Sequence, residues 1–310
     1  MNSRWTTNVV KRNGKAVTVR ADADGNIEIL KILARYPILT VLDIAALTLK
    51  NRSAHAVNER IRFLKREPHK LVQVHRSQSD ESRLHRSTRL AYHLTRKGVA
   101  FLQDKDVHVE YREPSIHFIH TLTENQVAAS FEIGARNRFI SFNDILDSSS
   151  TPQRIRETRD HSIPVKFSYR GKDYDRVIPD ALPFAISYPN NTYRFYCLEV
   201  DLGTEQLRWS TSDRQTIERK FLSYLNVLDQ RIYNTHFGFP NLTILFTTPN
   251  HTRLESMMNI LPTLSTKYLN HFAFKDFPTI MGNTPQPTDR GWAFNQPWLQ
   301  CGGKTVNLRG

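Results

Sequence analysis

Residues 26–103 hold three short helical stripes, two alternating strands and a closing helix in quick succession. Elements this short bury apolar surface only by docking on one another, so few compact folds can accommodate them. Ile29, Leu30, Ile32, Leu33 and Tyr36 form a helical stripe over residues 26–36 that Pro37 stops. A second helix opens at Thr40, a good N-cap, and carries Leu42, Ile44, Ala45 and Leu47. A third opens at Ser53 and runs through Val57, Ile61 and Leu64 to about Arg66. Residues 71–76 and 89–95 then alternate as half-buried strands, and residues 77–87 form a polar tip between them. A last helix spans residues 96–103.

Three helices followed by a two-stranded hairpin is the order of a winged helix-turn-helix. In that fold the third helix enters the major groove of double-stranded DNA and the hairpin tip flanks the phosphates. Asn51, Arg52, His55, Asn58 and Arg62 are then the candidate reading residues, with Arg83 and Arg86 on the wing. Arg and Asn suit the task because each makes bidentate contacts to a base edge. Charge points the same way. Residues 1–115 carry 22 Lys+Arg against 12 Asp+Glu, whereas the rest carry 21 against 18. A basic excess at one end is the footprint of a polyanion partner. The competing reading is a solvated helix face on a fold that serves to form a homodimer.

Several classes are excluded or disfavoured. No apolar run approaches the ~20 residues that span a bilayer, and the first twelve residues lack an apolar signal core, so a cytoplasmic location is expected. The two cysteines, Cys197 and Cys301, form neither a disulfide framework nor a thiolate zinc site. Phosphate loops of the Walker type and Gly-x-Ser-x-Gly elbows are absent. His117 and His120 lie three apart, but Pro114 nearby argues for a loop rather than a zinc-binding helix face.

Beyond Pro114 a helix runs from His120 to about Asn137. Strands follow at residues 165–169, 176–186 and 194–200, then a helix at 214–229, a strand at 242–246 and a helix at 253–260. This order predicts an α/β (α+β) domain with a mixed sheet. The expected division is a flexible arm over 1–25, a winged helix over 26–113, the mixed-sheet domain over 114–275 and a wrapping tail over 276–310. Trp292 and Trp298 anchor that tail.

Asp180 follows Pro179 in the second of these strands, and the third carries Glu199-Val200-Asp201. Residues two apart on a strand share a face, so Glu199 and Asp201 point the same way. If the two strands pair, Asp180 joins them. Converging carboxylates repel one another unless a cation such as Mg2+ or Mn2+ sits among them. A metal on Asp180, Glu199 and Asp201 could activate water against a phosphodiester.

Pro179-Asp180 and Glu199-Val200-Asp201 in this element order resemble the PD-(D/E)xK nuclease fold, a restriction-endonuclease-like architecture. Combined with an N-terminal winged helix, the chain resembles the plasmid replication-relaxation family, over most of residues 26–262. The resemblance implies a role in plasmid or phage replication or mobilisation, some members being relaxases that nick DNA at a transfer origin. It makes Asp180 and Glu199 the metal-binding acids and Glu132 an auxiliary acid. The motif's lysine, two residues after the second acid, is Asp201 here. Lys220 is the nearest substitute, with Tyr224 one turn later. Their competing reading is a surface lysine and a core aromatic. A covalent route would draw its nucleophile from Tyr188, Tyr193 or Tyr224. The alternative function is a non-catalytic initiator or transcriptional regulator with a degenerate nuclease-like domain.

Overall fold

The computed structural model describes residues 8–12, 15–50, 52–78, 89–111, 115–208, 216–277 and 289–310. The chain divides into two compact units, residues 1–129 and 130–310. Together they make an α+β protein with a helical N-terminal region and a mixed-sheet region. No helix among the described residues is long and apolar enough to cross a membrane.

In the first unit, β1 (Asn8–Arg12) and β2 (Lys15–Val19) pair as an antiparallel hairpin in the stretch expected to be a free arm. Three helices follow, α1 (Asp24–Arg35), α2 (Val41–Leu47) and α3 (Ala54–Lys65). Thr40 starts α2 through a full capping box with Asp43, and Ser53 starts α3 by accepting the Ala56 N–H. Val57, Ile61 and Leu64 bury one face of α3. Around them β3 (Leu39–Thr40), β5 (Ala91–Leu94) and β4 (Val72–Val74) form a three-stranded antiparallel sheet in that order. The short strand β3, made of the two residues before α2, was not expected.

Helix α4 (Arg96–Gln103) closes the unit, capped by Thr95. It packs against the chain so tightly that a Cβ on Gly98 would lie 2.1 Å from the Leu71 carbonyl oxygen. Helix α5 (Phe118–Ala135) contains the division between the units. Its first turns, at Phe118 and Leu122, cluster with Ile38 and Ala91.

The second unit is built on a seven-stranded sheet. Its described elements run β6 (Phe139–Ile140), α6 (Phe142–Leu146), α7 (Gln153–Thr158), β7 (Ile163–Tyr169), β8 (Lys172–Val177), β9 (Phe184–Tyr188) and β10 (Thr192–Val200). They continue as α8 (Ile217–Asp229), α9 (Ile232–Phe237), β11 (Thr243–Thr248), α10 (His251–Leu264), β12 (Phe272–Asp276), α11 (Trp292–Asn295), β13 (Trp298–Leu299) and β14 (Thr305–Val306). The sheet order is β14-β13-β12-β11-β10-β9-β6. Strands β6, β9 and β10 form an antiparallel meander, while β10, β11 and β12 run parallel. Helices α8 and α10 are the crossovers that parallel strands require. β10 is flanked on both edges, and its residues 196–200 are all buried, which explains their near-continuous apolar run.

Three expectations are corrected here. Residues 165–169 do form a strand, but it pairs with β8 in a separate two-stranded sheet. The strand expected over 176–186 is two strands, β8 ending at Val177 and β9 starting at Phe184, because Pro179 and Pro183 interrupt any ladder between them. The meander's first strand is instead the two-residue β6, too short to show a period. The tail does more than wrap. Trp298 opens β13, which extends the sheet beside β12, and Trp292 and Trp298 are 1% and 0% exposed.

Candidate active site

The C-terminal end of β10 gathers a cluster of charged residues in the second unit. Glu199 and Asp201 point to the face covered by α8 and α10, as the two-residue period requires, and both are buried. Asp180 lies in the bend between β8 and β9 rather than in a strand. Its backbone N–H donates to the Leu198 carbonyl at 3.1 Å, and its Oδ2 accepts the Val200 N–H at 2.7 Å. These two bonds hold Asp180 beside β10 just beyond the residues that β9 pairs with.

Lys220 comes from the first turn of α8, which Thr216 caps, and is 2% exposed. Its ammonium lies 2.7 Å from Glu199 Oε2, 3.2 Å from Asp180 Oδ2 and 3.2 Å from Glu205 Oε1. One turn later the Tyr224 hydroxyl donates to Glu199 Oε1. Lys220 is therefore no surface lysine, and Tyr224 is a core aromatic whose one polar atom is used on the site.

Asp201 stands slightly apart. Its Oδ2 takes the Arg253 Nε–H and its Oδ1 the Gly203 N–H at 3.0 Å. Glu205 fills the third carboxylate position around Lys220 in its place. Sequence reading missed Glu205 and Arg253, since Glu205 follows a turn and shares no strand period with Glu199. The only sequence hint was Gly203, which permits that turn.

Burial and mutual charge set the ionisation. Removal from water, reinforced by Asp180, raises the Glu199 carboxyl well above its ordinary range despite Lys220 and Tyr224. Burial also raises Glu205. For Lys220 burial opposes the charge, but Asp180, Glu199 and Glu205 outweigh it and hold the ammonium well above its ordinary value. Tyr224 is pushed well up by burial and by Glu199, so its hydroxyl keeps its proton.

As for metal, the donors are hard carboxylate oxygens of the kind Mg2+ and Mn2+ prefer. Glu199 Oε2 and Glu205 Oε2 are buried and accept no hydrogen bond, although Glu199 Oε2 is close enough to Lys220 for a charge contact. Lys220 Nζ lies among these acids and Asp180, within 3.2 Å of all three. Glu132 is on α5. Of the tyrosines first grouped with the acids, Tyr224 stays with them, whereas Tyr188 and Tyr193 are engaged elsewhere. Tyr193 lies six residues before Glu199 on β10, about 20 Å along an extended strand. The Tyr188 hydroxyl donates to the Leu308 carbonyl at 2.6 Å.

In the first unit, α3 presents His55, Arg62 and Lys65 on its exposed face, followed by the exposed C-cap Arg66, with Asn58 half-buried. Arg62 pairs with Glu59, one turn away at 2.8 Å. Arg52 differs from expectation, because its guanidinium turns inward to Glu28 at 3.6 Å. Asn51, Arg83 and Arg86 lie outside the described residues.

A family model described as Replication-relaxation matches residues 30–242, more than two thirds of the chain. The chain belongs to the replication-relaxation family. The match takes in α2, α3 and the strands of the first three-stranded sheet, and also Asp180, Glu199, Glu205 and Lys220. In this member of the family Arg253, the partner of Asp201, falls beyond the matched residues. No curated protein and no solved structure matches the chain significantly.

Proposed function

We propose that this replication-relaxation protein binds double-stranded DNA through a winged helix-turn-helix in residues 26–113 and nicks or cleaves it with a restriction-endonuclease-like domain in residues 114–275. The observation that carries the reading is the meeting of Asp180, Glu199 and Lys220 at one end of β10. The order helix, three-stranded meander, helix and parallel strand, from α5 through β6, β9, β10, α8 and β11, supports the nuclease-like fold. An ammonium delivered from α8 supports the substitution of Lys220 for the motif lysine that Asp201 replaces.

The chemistry follows from the positions. Asp180, Glu199 and Glu205 would hold a Mg2+ or Mn2+ ion, which when bound supplies water activation and charge neutralisation at the phosphodiester. Lys220, kept protonated by the acids around it, offsets negative charge developing on the phosphate oxygens. Tyr224 orients Glu199 through its hydroxyl. Its full burial and committed proton favour hydrolysis over a covalent Tyr224 adduct.

A second reading is a non-catalytic initiator or regulator. The burial of the Lys220–Glu199 pair favours it, because an internal cation already neutralises the acids. Supercoiled origin plasmid separates the two. Relaxation by the wild type with Mn2+, lost with chelator and in an Asp180→Asn, Glu199→Gln double variant, is expected for the nuclease. Tight binding without nicking on cognate DNA would reject it.

A further inference from the structure

We infer that Glu205, rather than Asp201, is the third working carboxylate of this site, and that Arg253 is the positioning residue that delivers it. The inference rests on the acid–lysine centre being the working centre of the proposed function.

Each oxygen of Asp201 is engaged away from the Lys220 ammonium. Oδ1 closes a tight turn by accepting the Gly203 N–H at 3.0 Å, and Oδ2 accepts the Arg253 Nε–H. Gly203 sits at φ 83°, a conformation open to glycine at little cost. A Cβ at Gly203 would lie 3.8 Å from Arg253 Cδ, so the arginine stem lies along the turn. The same guanidinium donates from Nη2 to the Glu205 carbonyl oxygen. One planar, two-point donor from α10 therefore ties residue 201 to residue 205 and sets the path of the chain between them.

The other side of the segment is fastened to α8. The Gln206 and Leu207 carbonyls accept the N–H groups of Ile217 and Glu218, each at 3.0 Å. These are first-turn donors that a helix leaves without partners of its own. Lys220 follows within a turn. Glu205 is thus gripped between α10 and the start of α8, with Oε1 3.2 Å from the Lys220 ammonium. Its Oε2 is buried and accepts no hydrogen bond, leaving a lone pair for a cation. Asp201 is tied to the site through Arg253 and the turn.

The test uses the full chain labelled with 15N-lysine, following the Lys220 ammonium signal, identified by its loss in Lys220→Arg. Glu205→Gln and Arg253→Met are expected to move that signal in the same direction. Combining them should move it no further than Glu205→Gln alone, since Arg253 acts through Glu205. Arg253→Lys should behave like Arg253→Met, because one ammonium cannot make the two-point hold. A Mn2+ titration of the same proteins should show affinity reduced tenfold or more by Glu205→Gln and by Arg253→Met.

An unmoved Lys220 signal in folded Arg253→Met, or additive shifts in the double variant, overturns the inference. So does an Asp201→Asn protein that loses Mn2+ as fully as Asp180→Asn while Glu205→Gln retains it. A wild type that takes up no Mn2+ rejects the metal-dependent function instead, and the ammonium signal still decides the role of Arg253.

Discussion

Replacing Lys220 with methionine keeps most of the side-chain volume and removes one buried charge. The consequence follows from its surroundings. Three carboxylates lie within 3.2 Å of the ammonium, and its side chain is 1% exposed, so water cannot take over its role. Removing one partner of a buried ion pair costs about 3–5 kcal/mol, because the charge left behind is neither solvated nor paired. Here the acids are also left facing one another, which places the variant toward the upper end. For a unit of this size each kcal/mol moves the unfolding midpoint by about 2–4 °C, giving an expected fall of about 6–20 °C.

The pH dependence carries a definite sign. Glu199 has a folded-state pKa raised above 4.5, and Lys220 is one of the groups pulling it down. Without Lys220 it rises further. A carboxyl with a raised folded pKa contributes stability that is present below its unfolded value and lost as pH rises through its folded value. The Lys220→Met deficit is therefore smallest at or below pH 4.5 and widens as pH rises above it. In the wild type, Lys220 has a raised pKa, so its contribution persists through neutral pH and is lost only above 10.5. Circular-dichroism melts of both proteins across this range provide the measurement. A midpoint within about 2 °C of wild type at neutral pH, or a deficit that shrinks as pH rises, would refute the reasoning.

Gly98→Ala should destabilise the first unit by about 1–3 kcal/mol or more, since its Cβ meets the Leu71 carbonyl and neither backbone can yield easily. Guanidinium unfolding checks this, and an unchanged midpoint counts against the described packing. Thr40→Ala removes the α2 capping box and should cost about 1 kcal/mol in the same assay. Arg62→Ala should weaken DNA binding and flatten the log–log salt slope by about 0.9, the loss of one phosphate contact. Arg52→Ala, whose partner is Glu28, should leave that slope unchanged. Equal slopes for wild type and Arg62→Ala would remove α3 from the DNA interface.

Much of the first unit was legible because its signals are local. Ser53, Thr40 and Thr95 act as caps within three residues of their targets, and the α3 stripe of Val57, Ile61 and Leu64 is a repeat of one helix. The site was legible in part for the same reason. Glu199 and Asp201 share a face by the strand period, and Lys220 and Tyr224 share one by the helix period. Strands β6, β13 and β14 were not legible, because two residues carry no period and each is placed by a neighbour in the sheet, β6 by β9, β13 by β12 and β14 by β13.

The sequence by itself determined which residues carry charge, where helices start, and that acids and a lysine occur on elements able to meet. Those properties depend on neighbours a few positions away. The tertiary structure alone decided which acids surround the ammonium. Asp180 reaches β10 through one backbone bond and one carboxylate-to-backbone bond across eighteen residues or more, Glu205 is held by Arg253 from forty-eight residues away, and Asp201 is drawn off by the same arginine. Contacts at that separation are set by how the strands stack and where the crossover helices land, and no local pattern encodes them.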